Sequence, residues 1–365
     1  MRSFKYVFGL LPAFLSFFCI WKGGAWSYFA PVFIFSVGPV VDLLFQGSTM
    51  NHPEDEEAQL RNARVYDVVL YTAVGLQYAV LAFFLYRVGF TSVVWWEVIG
   101  MSLSMGMCCG ILGINGGHEL GHRRKKSEQR MAKALLLTSL YTHFFIEHNR
   151  GHHTRVGTDL DPASARFGEW LWTFIPRSMV GGYLSAWELE RERLRARNAK
   201  VLSWANEMVR LSVLQLVFTT AIFLVFGWVA GLGFIGAAII GGMLLETVNY
   251  LEHYGLEREI LEDGKIERVL PIHSWNANQP MGRYLLFELS RHSDHHAHAR
   301  RKYQTLRHFD YSPQLPTGYP GMMILAWIPP LWFAVVHRHM LRERMRVQSL
   351  GARSAVNESV EVLAA

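Results

Sequence analysis

Residues 116–124 read GGHELGHRR, and within them His118, Glu119 and His122 form H-E-x-x-H, the helical signature of zinc metalloproteases. Sixteen histidines occur in the chain, and the placement of nine of them suggests chemistry. A second cluster, EHNRGHH, holds His148, His152 and His153; a third, RHSDHHAH, holds His292, His295 and His296; His253 stands alone in NYLEHYGL. On a helix, residues four apart share a face, about 6 Å apart along the axis. His118 and His122 can therefore grip one ion, and so can His148 and His152. His153 points about 100° from its neighbour and can reach a second ion. His292 shares a face with His295 by an i,i+3 step and with His296 by an i,i+4 step.

Zinc takes three protein ligands when catalytic and four when structural. Nine imidazoles are too many for one such ion and suit two, with four or five nitrogens each. Imidazole serves iron, copper, zinc and nickel, so ligand type leaves the metal open. The other seven histidines (His52, His143, His273, His298, His308, His337 and His339) lack paired spacing and are read as loop or surface residues, with His273 and His298 the candidates for supporting ligand imidazoles.

What positions these clusters is hydrophobic. The chain has 365 residues, 51% hydrophobic and only 18% charged, against about 25% charged in a soluble domain. Mean hydropathy is +0.13. Six apolar runs reach bilayer length, near 4–22, 26–46, 66–88, 93–115, 208–228 and 233–252. The first is read as a retained helix, because another apolar run follows at once without a convincing cleavage site. The expected fold is all-α and membrane-embedded in a single domain over 1–350, with a disordered tail at 351–365. Lysines and arginines concentrate in 47–65, 116–207 and 253–350, which puts those segments and both termini in the cytoplasm. His118 then follows the fourth span and His253 the sixth, so every histidine cluster falls at one membrane face.

Polar residues inside a membrane segment are costly and usually face a functional interior. Glu246 and Asn249 lie two turns and one turn before His253, and with Glu119, Glu252 and Asp294 they are expected to orient ligand imidazoles. Glu147, Asp159 and Asp161 are further carboxylate candidates. Leu103, Met107, Ile111 and Ile114 form an apolar stripe leading to His118, either a substrate channel or ordinary helix packing. Cys19, Cys108 and Cys109 fall in the apolar runs and read as small buried side chains, not as a disulfide or iron–sulfur framework.

NGGHELGH, FFIEHNRGHH, NYLEHYGL, RHSDHHAHARRKYQTLR and LPTGYPGM together resemble the integral-membrane alkane monooxygenases, from about residue 30 to residue 330. The three histidine boxes alone are shared with membrane fatty-acid desaturases and xylene monooxygenase; NYLEHYGL tips the choice towards alkanes. The resemblance implies two non-haem irons held by the nine histidines, O2 as co-substrate, and terminal hydroxylation of a medium-chain n-alkane to its 1-alcohol in a bacterial inner membrane. It also implies electrons from rubredoxin and its reductase. No cysteine follows Cys109, so the donor is expected to be a separate protein. The basic stretches HRRKK, RERLRAR and ARRK suit an acidic donor, or express positive-inside topology only. No feature points to nucleic acid. Three other readings compete: a membrane desaturase, a zinc protease built on His118, Glu119 and His122, and a metal sensor or carrier without turnover. The protease reading leaves two histidine boxes without a role.

Overall fold

Apolar helices set the architecture. The computed structural model describes residues 4–350, so the tail expected at 351–365 lies outside the described residues. Five helices are long and apolar enough to cross a membrane: Phe4–Lys22, Gly24–Leu44, Arg64–Phe90, Trp95–Gly121 and Glu207–His253. Among the described residues, β-pairing is confined to two isolated bridges, Ile260 with Ile266 and Asn276 with Gln314.

The runs expected at 208–228 and 233–252 are two helical arms that meet at Gly227 within the 47-residue stretch Glu207–His253. Straight, it would measure about 70 Å, more than twice a hydrocarbon core of about 30 Å. Gly227 breaks it, with φ 81° and ψ 177°, a region essentially reserved for glycine. The chain folds back there: the rings of Phe218 and Phe234 lie 5.7 Å apart, where a straight helix would separate them by about 24 Å. Hydropathy finds both arms but not their fusion, because a glycine turn can join two apolar helices without a polar loop.

The fourth helix also departs from expectation. It does not stop at residue 115 but runs through His118 to Gly121, by way of a π-helical segment at Cys109–Ile114. Small residues let it approach its neighbours closely, as helix packing in lipid favours. A Cβ on Gly106 would sit 2.5 Å from Ile240 Cγ2. Ser16 Oγ donates to the Ser104 carbonyl at 2.6 Å, and Ser104 Oγ donates to the Ser27 carbonyl at 2.7 Å. This packing sets the His118 end of one helix beside the arm that ends at His253.

Outside these helices, buried ion pairs fix the polar segments. Arg123 bonds Glu119 at 2.7 Å and Asp67 at 3.2 Å, and Lys302 reaches the same Asp67 at 3.0 Å. Glu288 accepts from Tyr6 Oη at 2.7 Å and from Arg283. Helix Leu171–Arg195 buries Leu171, Phe174 and Leu189, while Trp172, Val180 and Leu184 are exposed. Part of the segment expected in the cytoplasm thus presents an apolar face, the pattern of a helix lying in a membrane interface.

Candidate metal centre

The eight histidines of paired spacing and the lone His253 converge from four segments into two sets. His118, His122, His148, His153 and His295 form one, and His152, His253, His292 and His296 the other; within each, the ligand-capable atoms lie within 4.8 Å of one another. In the first set the Nε2 atoms close a ring: His118–His122 3.3 Å, His122–His148 3.1 Å, His148–His153 3.1 Å, His153–His295 3.1 Å and His295–His118 3.0 Å. Hydrogen bonding cannot account for a five-membered ring. Each Nε2 is either a donor of one proton or an acceptor, and donors and acceptors cannot alternate around an odd ring. At most two of the five contacts can be hydrogen bonds, and at least one must set lone pair against lone pair or proton against proton. A central cation removes the conflict, because all five lone pairs then point at it. With metal–nitrogen bonds of about 2.1 Å, ligands a right angle apart sit about 3.0 Å from each other and tetrahedral ligands about 3.4 Å, which brackets the observed spacings.

The second set is built similarly. His292 Nε2 lies 3.2 Å from His253 Nε2 and 2.9 Å from His296 Nε2. His152 Nε2 is buried without a hydrogen-bond partner, while its Nδ1 bonds Asp161 Oδ2 at 2.9 Å. That contact fixes the tautomer that leaves Nε2 free to ligate. Glu252 Oε2 stands 3.2 Å from His292 Nε2, and its other oxygen accepts from Tyr319 Oη at 2.7 Å. Glu252 therefore meets the Nε2 of His292, not the Nδ1 that an orienting carboxylate would hold, and stands beside the set of four histidines.

The division of ligands differs from the one spacing suggests. His148 and His153 join the same set, and His152 joins the other. Five α-helical steps turn about 140° away from the starting face, so an α-helix would not pair His148 with His153. Residues His148–His152 are instead π-helical, and i→i+5 bonding stacks residues five apart. In the third cluster the i,i+4 pair His292 and His296 stays together, and His295 faces the first set.

Burial keeps these imidazoles neutral, the form that binds metal. It pushes His122 down to about 3, with His152 and Arg123 adding to the effect. His148, His153, His292, His295 and His296 are held well below the ordinary histidine value, mainly by burial. His152 is the exception: burial lowers it, but the Asp161 carboxylate holds it above the ordinary value. Burial, then the neighbouring Asp161, raise Glu147 to about 8.

Several expected supporting roles fall elsewhere. Glu119 bonds Arg123 and the Tyr303 amide. Asp294 pairs with His298 at 2.7 Å and accepts from the Arg307 amide. Glu246 accepts from Tyr141 Oη at 2.6 Å and from Asn249 at 3.2 Å. Their bonds go to these groups and not to ligand imidazoles. His143, His273 and His308, expected at the surface or in loops, are buried. His273 pairs with Glu267, and Asp159 is exposed beside Arg166. Tyr141 and Tyr319 carry no spacing signal, so sequence reasoning missed them. The basic stretches are partly consumed internally: Arg123, Arg193, Arg301 and Lys302 are all ion-paired, while Arg124, Lys125 and Lys126 stay exposed.

An apolar cavity with about 50 Å³ of room for the centre of a water-sized sphere lies between the helices on the side of the centre. Met107 and Ile111 from the expected stripe line it, with Ile34, Phe35, Leu244 and Val248. Leu103 is not among its lining residues, and Ile114 packs instead with Leu136, Tyr141 and Phe144. Asn115, Leu289 and Tyr319 also line it. Asn115 and Leu289 each precede a ligand histidine by three residues, and Tyr319 holds Glu252.

Comparisons with known proteins agree with this chemistry. The chain matches the fatty acid desaturase family over residues 93–326. It is 40% identical to alkane 1-monooxygenase 2 of Pseudomonas aeruginosa, over 86% of this chain and 83% of that protein. It is 42% identical to alkane 1-monooxygenase of Pseudomonas putida, over 83% of this chain and 75% of that protein. The hydroxylase component of a Pseudomonas putida xylene/toluene monooxygenase is 29% identical over 68% of this chain and 65% of its own length.

Proposed function

The chain belongs to the alkane 1-monooxygenases, and from that premise we propose that it hydroxylates the terminal carbon of medium-chain n-alkanes at a pair of non-haem irons. The observation that carries the metal reading is the odd ring of five Nε2 atoms beside a second set of four histidines. His118, His122, His148, His153 and His295 would hold one iron; His152, His253, His292 and His296, with Glu252 beside them, would hold the other. Iron there supplies oxygen activation and the oxidising power to break a methyl C–H bond.

The protein's own part is position and dryness. Asp161 holds the His152 ring, and Tyr319 holds the Glu252 carboxyl. An alkane offers no polar handle, and leaving lipid for an apolar cavity gains little hydrophobic free energy, since both are apolar. Shape must then do the selecting. The cavity walls from Met107, Ile111 and Val248 would align the chain so that its methyl end meets the centre and water stays out.

The two arms folded at Gly227 support six crossings, with both termini and the histidine clusters on the cytoplasmic side of a bacterial inner membrane. Electrons would come from a separate rubredoxin and its reductase. Exposed Arg124, Lys125 and Lys126 suit an acidic donor, and transfer that slows as salt rises would support that docking. The test of the reading is octane supplied with O2, rubredoxin, its reductase and reduced nicotinamide cofactor. It predicts 1-octanol. An acyl thioester desaturated in preference to octane would favour the desaturase reading.

A further inference from the structure

A second, polar cavity of about 300 Å³ of empty volume flanks the metal centre, lined by His148, His152, Glu147, Ser178, Glu246 and Asn249 among others. It has about 10 Å³ of room for the centre of a water-sized sphere, near the lower limit for one buried water. One helix separates it from the alkane cavity. Leu244, Leu245 and Val248 face the apolar cavity, whereas Glu246 and Asn249 face the polar one. Tyr141 Oη donates to Glu246 Oε1 at 2.6 Å, Asn249 Nδ2 donates to Oε2 at 3.2 Å, and the carboxyl is otherwise sealed from solvent. A carboxyl placed this deep, bonded to a phenol and an amide and not to an arginine or lysine, is costly unless it has work to do. Glu147, also on the cavity wall, accepts from Ser185 Oγ at 3.4 Å, and Ser185 Oγ accepts from half-buried Arg155 at 3.2 Å, so this wall lies close to the protein surface.

The reaction consumes protons at the metal centre. Hydroxylation follows R–CH3 + O2 + 2e⁻ + 2H⁺ → R–CH2OH + H2O. The O–O bond and one C–H bond break, one C–O bond forms, and the donor supplies two electrons. One oxygen leaves as water, and the two protons must come from solvent. They cannot cross the alkane cavity, which is apolar and filled by substrate. The geometry points to the Tyr141–Glu246–Asn249 cluster and the water-sized cavity it faces as the site that passes protons to the metal centre, on the side opposite the alkane. Glu246 is a positioning and relay residue there, acting through the cavity water on the reacting oxygen. The inference rests on the monooxygenase reading.

Two variants test it independently. Glu246→Gln keeps the shape and removes the acid. Gly182→Ala narrows the cavity without removing a carboxyl: Gly182 is helical, lines the cavity, and a Cβ there meets nothing closer than Glu147 Cγ at 3.9 Å. In a high-resolution structure of the metal-loaded protein, a water is expected within hydrogen-bond distance of Glu246, and it should be absent in Gly182→Ala. Both variants should keep the wild-type metal content while 1-octanol per electron consumed falls about ten-fold, with hydrogen peroxide released and a larger solvent deuterium isotope effect. A dry cavity overturns the inference. So does wild-type coupling in both variants, or loss of activity matched by loss of metal. Wild-type protein that makes no alcohol from octane would instead sink the monooxygenase reading.

Discussion

His118 with His122, and His148 with His153, end in the same five-nitrogen ring, yet they reach it by different backbones. The first pair uses an ordinary i,i+4 step near a helix end. The second spans five residues through a π-helical turn. The π turn does what an α-helix cannot: it stacks His148 and His153, five residues apart, into one set and leaves His152 to the other. That economy of chain is what lets two metal sets share one wall. It makes the five-nitrogen set depend on spacing alone, while the four-nitrogen set also leans on Asp161, Glu252 and Tyr319.

If the two sets are separate sites, breaking one should leave the other occupied. His253→Ala carries the largest expected effect. It should abolish hydroxylation, by at least about a thousand-fold, and remove about one of two irons per chain, read by metal analysis alongside the octane assay. Loss of both irons would show the sets to be one interdependent site. Asp161→Asn attacks the same set from behind. Supporting partners of metal ligands are typically worth about 10–100-fold in affinity or activity, and the loss should fall on one iron, seen as biphasic release to a chelator.

A smaller effect comes from pH. Metal-free His122 is held down to about 3 by burial, and its histidine neighbours are lowered in the same way. A depressed folded-state value means that the unfolded chain binds protons first, so stability is full above the unfolded histidine value of about 6.5 and drains as pH falls towards 3. Denaturant midpoints of the apoprotein should fall over that window, and bound metal should oppose the change. The smallest effect is expected at the apolar cavity. Ile111→Phe adds bulk at its wall, leaves both sets intact, and should shift product from longer to shorter alcohols by a few-fold, read by competition between octane and dodecane.

The same contrast explains what the sequence made legible. Histidine type and spacing located all nine residues that the fold brings together, because imidazoles four apart are rare without a shared partner. Spacing could not assign His152 and His153, since nothing in EHNRGHH announces a π turn. Hydropathy found both arms of the 47-residue element, but Gly227 as a reversal needed coordinates. Glu252, Glu246 and Asn249 were visible as buried polar residues. Which atom each one faces was not, because that depends on Tyr319, Tyr141 and the rotation of the helix. The apolar stripe was half informative: Met107 and Ile111 face the cavity, and the π-helical segment at Cys109–Ile114 turns Ile114 away from it.

The central claim is two metal sites built by nine histidines, and metal content per chain tests it most directly. Purified protein reconstituted with ferrous iron, analysed by elemental analysis and iron-edge X-ray absorption, should hold about two irons per chain with four to five nitrogen neighbours each at about 2.1 Å. One zinc per chain and no iron, or iron surrounded mainly by oxygen, would contradict it.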